Sequence, residues 1–288
     1  GKMGKHMALN MLNSDAEIIV NDVRTDDFEE FISKGARATT DLSEATQTDI
    51  IFLSLPDTKI VKGVLLGEKG LINYLHKGQI VVDLSTITYT GTLDIAKHLE
   101  EKNIAFVDAP VSGMEARAAD GTLTVMCGGE KENFEKVKPF LECIGNKILY
   151  MGDIGKGQLT KLINQLLFDI NVAAIAEILP MAKKLGLDPV KVADVVNSGT
   201  GRSYASEFFI PNILKGKFSE GYSMNNAYKD LISAAGISAD LCVPLPVLHA
   251  ATTTYQMALL KGYGDCGKGA MIQVFEELLG VEYRDNEK

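Results

Sequence analysis

Short apolar runs alternate with amphipathic stretches along the first half of the chain. The runs Ile18-Ile19-Val20, Ile50-Ile51-Phe52-Leu53, Ile80-Val81-Val82, Ile104-Ala105-Phe106-Val107 and Leu123-Thr124-Val125-Met126 are too short for helices and mostly β-branched, which predicts strands. Helix-period segments lie at 5–13, 26–34, 93–102 and 131–144. Strands alternating with helices predict βαβ units and a mostly parallel sheet covered on both faces. After Met151 the pattern changes. A glycine-rich loop, Gly152-Asp153-Ile154-Gly155-Lys156-Gly157, is followed by a segment, 158–185, that is apolar on nearly every face. Such a segment predicts a long buried helix, with a kink or break at Pro180. Helices are predicted at 189–197, 208–215, 226–235, 245–260 and 268–279, with no strand-period signal among them. The expected architecture is an α/β domain, 1–151, and an all-helical domain, 152–288, joined by the long helix.

Composition adds limits. The 288 residues suffice for two domains, and 46% hydrophobic with 23% charged is ordinary for a globular chain. A net charge of −9 gives the whole chain no attraction to nucleic acid or anionic membrane. The four cysteines, Cys127, Cys143, Cys242 and Cys266, show no metal-site spacing. They are expected to be neutral thiols in a reducing cytoplasmic compartment, and no metal is expected. No signal-peptide pattern opens the chain. No apolar run is expected to reach a membrane span, because Lys161, Asn164, Asp169, Asn171 and Glu177 interrupt the longest.

The first residues carry candidate chemistry. Gly1-Lys2-Met3-Gly4 followed by a helical run has the form of the tail of G-x-G-x-x-G. There the middle glycine lets backbone approach a pyrophosphate, and the last lets helix and strand pack closely. The helix N-terminus adds N–H groups and a favourable dipole. Asp22 stands at the end of the next strand, where a carboxylate binds ribose hydroxyls and repels a 2′-phosphate. The expected cofactor is therefore NAD, with NADP second because Arg24 is near. The first domain is read as Rossmann-type. Its first strand and first glycine do not precede Gly1, and the expectation is that about ten residues of a longer protein are omitted.

Four segments in order resemble the 3-hydroxyacid dehydrogenase family, which includes 3-hydroxyisobutyrate dehydrogenases and 2-hydroxy-3-oxopropionate (tartronate semialdehyde) reductases. They are Gly1 to Asn10; Asp108-Ala109-Pro110-Val111-Ser112-Gly113 with Asp120-Gly121-Thr122-Leu123; Gly155-Lys156-Gly157 with Lys161 and Asn164; and Lys229-Asp230-Leu231. The resemblance spans nearly the whole chain. It implies an NAD(P)-dependent enzyme interconverting a small 3-hydroxyacid and its semialdehyde, and an assembly into homodimers or homotetramers.

Read alone, Lys161 near the start of an apolar helix is a lysine keeping its head in water or a group held in a cleft. Asn164, at i+3, shares its helix face. The resemblance implies that Lys161 is the proton-transfer group and Asn164 a substrate contact. A free lysine titrates near ~10.4, so a base working at neutral pH needs burial or a second positive charge. Lys229, implied to reach both substrate and cofactor, is a candidate for that charge. Ser112 and Gly113 are implied to receive the substrate carboxylate, a role suited to a hydroxyl and close backbone N–H donors. Met114 stands where the family has a second glycine. Leu55, Pro56 and Thr86 follow strand ends and are implied, with Gly1, Met3, Gly4 and Asp22, to line the cofactor groove. Gln165 beside Asn164 and the 115–121 loop are closer to the tartronate semialdehyde reductases. Arg202, in Gly201-Arg202-Ser203, either pairs a second substrate carboxylate or is a structural ion-pair residue.

Three rivals are weighed. A non-catalytic binding module of the same architecture would have no need of Lys161, Asn164 and Ser112 together. A 6-phosphogluconate dehydrogenase needs a larger helical domain, and imine reductases of this architecture usually lack the lysine.

Overall fold

The computed structural model describes residues 1–285. The chain divides into two compact units, Gly1–Lys161 and Leu162–Lys288.

The first unit is α/β. In order it holds α1 (Lys2–Met11), β1 (Ile19–Asn21), α2 (Phe28–Ser33), β2 (Arg37–Thr39), α3 (Leu42–Ala45), β3 (Ile50–Leu53), α4 (Thr58–Leu66), β4 (Ile80–Asp83) and α5 (Tyr89–Glu100). Then come β5 (Ala105–Asp108), β6 (Val111–Ser112), α6 (Met114–Ala119), β7 (Leu123–Gly129), α7 (Lys131–Ile144) and β8 (Gly145–Gly152). Strands β3, β4 and β5 are parallel neighbours, with Leu53 opposite Asp83 and Asp83 opposite Asp108. All four residues of β4 are buried. Alternate side chains feed two cores. Val81 and Phe106 pack with Val61, Leu65, Ile95 and Leu99 from α4 and α5. Val82 and Val107 pack with Met7, Met11, Val137 and Leu141 from α1 and α7. A sheet covered on both faces has this period-two signature.

The sheet is mostly parallel, as expected, with antiparallel pairings at its far side. Strand β7 runs antiparallel to β5 and β6 and parallel to β8. The physical reason is the connections: β5 and β6, separated only by Ala109-Pro110, run in the same direction along β7, and the link from β6 to β7 through the short helix α6 is shorter than a parallel crossover needs. Strands β1 and β2 pair in a separate two-stranded sheet. Strand β8 pairs with β7 through two register irregularities and is mostly exposed. Beyond the predicted elements the unit holds β2, β6, β8, α3, α4 and α6. The first two strands have three and two residues, below what periodicity can detect.

Helix α8 (Lys156–Lys184) runs without a break through Pro180, so the expected break is absent. It leads into α9 (Pro189–Ser198), α10 (Tyr204–Leu214), α11 (Met224–Asp240), α12 (Pro246–Leu260) and α13 (Ile272–Leu279). Among the described residues the second unit is built of helices, with one isolated β-bridge between Ser223 and Gly267. Its core collects Val172, Ala173, Ala176 and Leu179 of α8 with Phe209, Leu231, Tyr255 and Met271.

The expectation of burial all round α8 is overturned. Ile163, Leu167, Ile178 and Met181 are 50–61% exposed and recur at near-helical spacing, so they form one stripe opposite the buried face. The membrane expectation is corrected too. An 18-residue window of α8 has mean hydropathy 1.6, enough by length and composition to cross a membrane. That window contains several of the polar residues and is apolar enough in spite of them. Its inner face nonetheless carries a charged pair fully enclosed in the helical core: Lys268 Nζ lies 2.5 Å from Asp169 Oδ1 and 3.8 Å from the Phe168 ring centre, and Tyr255 donates to Asp169. Buried charge persists where it is paired and hydrogen-bonded.

Candidate functional site

The cofactor-binding candidates of the first unit stand at strand ends or beside them. Gly1 caps α1, and a Cβ placed on it would meet nothing within 4 Å. A Cβ on Gly4 would press on Ser54 Cβ at 3.3 Å, so this glycine lets α1 lie close to the end of β3. An open glycine followed by a close-packed one at a helix start fits a pyrophosphate cradle. The Gly1 nitrogen lies 3.2 Å from Asp22 Oδ2, which brings the glycine turn and the acidic strand end together. Asp22 Oδ1 also accepts from the Arg24 N–H. Met3 is half-buried in α1. Leu55 donates its N–H to Ser85 Oγ at 2.9 Å, linking the loops after β3 and β4, while Pro56 is exposed and Thr86 half-buried.

Two buried carboxyls occupy adjacent strand ends. Asp83 Oδ1 accepts from the Ser85 N–H, and its Oδ2 has no hydrogen-bond partner among the described residues. Burial pushes its carboxyl up to about 7, against the Ser85 bonds and with the help of Asp108 beside it. Asp108 Oδ1 accepts from Gly155 N–H at 2.7 Å and Oδ2 from Gln158 N–H at 2.9 Å. Burial raises Asp108 too, while these backbone donors hold it down. Its carboxylate therefore caps the start of α8 from another element, meeting both the orphan N–H groups and the dipole. The Gln158 side chain donates to Ser85 O at 2.7 Å and accepts from Ile87 N–H at 3.2 Å. Only glycine fits at this contact: a Cβ on Gly157 would lie 2.7 Å from Asp108 Oδ2, and one on Gly128 2.6 Å from Asp108 Oδ1.

Lys161 follows one turn after Gln158 and is buried. Ser112 is half-buried at the end of β6. Gly113 has φ 146° and Met114 φ 61°, so Met114 holds a left-handed conformation natural to glycine. The remaining candidates belong to the second unit. Asn164 is exposed and donates to Gln165 Oε1 at 3.4 Å; Gln165, at i+4 from Lys161, is buried. Lys229 is half-buried in α11, next to buried Asp230 and Leu231. Arg202 is exposed, with Nε 2.7 Å from Glu207 Oε1.

Sequence reasoning missed Asp83, and the capping roles of Asp108 and Gln158. A signal existed: Asp108 ends a strand and opens the Asp-Ala-Pro-Val-Ser-Gly segment.

The chain matches two family models. One, described as the NAD binding domain of 6-phosphogluconate dehydrogenase, covers residues 1–152. The other, described as NAD-binding of NADP-dependent 3-hydroxyisobutyrate dehydrogenase, covers residues 155–275. The 2-(hydroxymethyl)glutarate dehydrogenase of Eubacterium barkeri is 37% identical over 98% of this chain and 94% of its own. The 2-hydroxy-3-oxopropionate reductase of Escherichia coli is 33% identical over 96% of this chain and 94% of its own. A solved 3-hydroxyisobutyrate dehydrogenase from Salmonella typhimurium superposes with TM-score 0.88 at 28% identity, covering 96% of this chain and 97% of that one. A solved structure of Psf3 in complex with NADP+ and 2-OPP gives TM-score 0.83 at 26% identity, covering 96% and 97%.

Proposed function

The chain belongs to the 3-hydroxyacid dehydrogenase family, and we propose that within it Lys161 is the acid–base group of an NAD-dependent interconversion of a small 3-hydroxyacid and its semialdehyde. The observation that carries this reading is the anchored start of α8. Lys161 is a buried lysine one turn beyond a helix end fixed by Asp108 and Gln158.

The bound nicotinamide supplies hydride transfer to and from the carbinol carbon. Gly1 and Gly4 with the α1 N-terminus would hold its pyrophosphate, and Asp22 its ribose hydroxyls. Met3, Leu55, Pro56 and Thr86 would line its groove. Ser112 and the backbone around Gly113 would receive the substrate carboxylate, with Lys229 a further cation for substrate and cofactor. Lys161 takes the hydroxyl proton in oxidation and returns it to the alkoxide in reduction. Asn164, bonded to Gln165, orients the same oxygen.

The substrate proposed first is tartronate semialdehyde, because Gln165 beside Asn164 and the 115–121 loop resemble the tartronate semialdehyde reductases, and a 2-hydroxy-3-oxopropionate reductase is 33% identical. A second reading, a dicarboxylic 3-hydroxyacid, is supported by the Eubacterium barkeri relative's name and 37% identity. It requires Arg202 to exchange Glu207 for the second carboxylate. Asp22 supports NAD, while the Psf3 complex with NADP+ keeps NADP as the alternative. The exposed stripe of α8 supports self-association as a homodimer or homotetramer, which light scattering at micromolar concentration tests.

Initial rates over a panel of semialdehydes and 3-hydroxyacids, each with NAD(H) and NADP(H), test the substrate and cofactor. A dicarboxylic preference abolished by Arg202→Ala would replace the first substrate with the second. Lys161→Ala should lower kcat by about 10²–10⁴-fold with NADH affinity nearly unchanged. Lys161→Arg should fail almost as badly, since arginine does not release a proton near neutral pH. Near-normal turnover by Lys161→Arg would remove Lys161 from the chemistry.

A further inference from the structure

We infer that Asp108 and Gln158 are positioning residues for Lys161, fixing the start of α8 both along its axis and in rotation about it. The inference rests on Lys161 being the proton-transfer group. The axial restraint comes from β5: the Asp108 carboxylate accepts from the N–H groups of Gly155 and Gln158. The rotational restraint comes from the loop after β4: Gln158 binds Ser85 O and Ile87 N–H with opposite ends of one amide. An amide held at both ends cannot swing, so the direction in which residue 158 leaves the helix is set. Residue 161 lies at i+3, and its direction is set with it. The close glycine contacts leave no slack. The Gly157 backbone rests on Asp108 and Met126, and Gly128 rests on Asp108 and Gly157.

The geometry also shows why such a clamp matters to rate as well as to fold. A side-chain tip stands roughly 5–6 Å from its helix axis. A rotation of about 10° therefore moves it by ~1 Å, and misplacement of about 1 Å costs on the order of 10²-fold in rate. The clamp ties α8 to the ends of β4 and β5, beside Leu55 and Ser85, where the cofactor is proposed to bind. It registers the proton donor against the sheet that carries the hydride carrier.

The test is Gln158→Met, which keeps the bulk and removes both side-chain bonds, together with Asp108→Asn, which removes one acceptor. Asp108→Asn risks misfolding, so Gln158→Met carries the result if only one variant folds. With folding verified by thermal melt, kcat on the best substrate of the parent should fall about 10–100-fold. The NADH dissociation constant should stay within about twofold and the substrate KM within about threefold, since neither residue is proposed to touch ligand. The primary deuterium isotope effect on kcat, read with 4-deuterated NADH, should rise as the chemical step becomes slower. Independently of turnover, trinitrobenzenesulfonate should modify Lys161 several-fold faster in Gln158→Met, read by peptide mass spectrometry. That reading keeps this inference separate from the function: loss of activity in Lys161→Ala tests the acid–base role and leaves the clamp untouched. Folded Gln158→Met with kcat within twofold of the parent and unchanged Lys161 reactivity would reduce Asp108 and Gln158 to a fold staple. A kcat loss matched by an equal loss of NADH affinity would likewise overturn positioning, because the damage would then lie in the nucleotide site.

Discussion

Replacing Asp83 by asparagine should change how the protein's stability depends on pH. Burial pushes the Asp83 carboxyl from 3.8 up to about 7. Between those values the folded protein holds a proton that the unfolded chain has released, so stability falls as pH rises through the window and levels off above about 7. Every tenfold change in proton affinity is worth ~1.4 kcal/mol, which sets an upper figure of about 4 kcal/mol; relaxation around a buried ion leaves about 2–4. The introduced asparagine would keep the bond to the Ser85 N–H but put an unpartnered NH2 where Oδ2 lies. That costs ~1–3 kcal/mol, and the cost does not vary with pH. Asp83→Asn should therefore melt at or below the parent's temperature at pH 5, gain on it up to about pH 7, and hold that gain to pH 8. For a unit of this size the variant-minus-parent difference should rise by about 5–10 °C across that range. Scanning calorimetry at pH 5, 6, 7 and 8 reads it directly. Two melting curves that stay parallel to within about 2 °C would show that Asp83 is ionised throughout, and that the Asp83–Asp108 pair is better solvated than its burial implies.

Other perturbations separate the two units. Lys268→Met leaves Asp169 buried without its cation and should cost about 3–5 kcal/mol by urea denaturation; a loss under about 1 kcal/mol would show that the pair contributes no net stability. Met114→Gly replaces a left-handed methionine and should add about 0.5–1 kcal/mol, with any kinetic change in substrate KM and none in NADH affinity; a lower melting temperature would contradict the strain. Asp22→Ala removes the charge facing a 2′-phosphate and should raise the NADPH-to-NADH ratio of kcat/KM about tenfold. A parent that already prefers NADPH would reverse that assignment.

The layered α/β unit was legible because its central strands are apolar on both faces. The runs at Ile50, Ile80 and Leu123 fall inside β3, β4 and β7. Helix α7 shows its buried stripe openly, with Phe134, Val137, Leu141 and Ile144 at helical spacing. Strands β2 and β6 were not legible, because three or two residues carry no period. Helix α8 is legible as a helix, but the side it leaves uncovered is not. Hydrophobicity records what a surface prefers to touch, and Ile163, Leu167, Ile178 and Met181 are apolar yet largely uncovered by the described residues of this chain. Lys161 was visible as a charge in an apolar helix. The clamp behind it was not, since Asp108 and Gln158 are 50 residues apart in sequence and meet only once the start of α8 rests on the end of β5. Glu207 likewise answers Arg202 only after α10 forms.

Strand β8 has one further consequence. Among the described residues its only strand partner is β7, and Leu149, Tyr150 and Met151 are each more than a third exposed. An apolar edge of this kind can template a strand from another molecule and start aggregation. Several features blunt it. Two register irregularities spoil the flat pairing surface, and Lys147 would place a charge within any cross-molecule ladder. Tyr150 is held back by its bond to Gly129 O and by packing on Phe134. The safety of this edge therefore depends on α7 staying docked. Heating or concentrating the protein should expose β8 first, and Lys147→Val should bring on precipitation at a temperature where the native fold still persists.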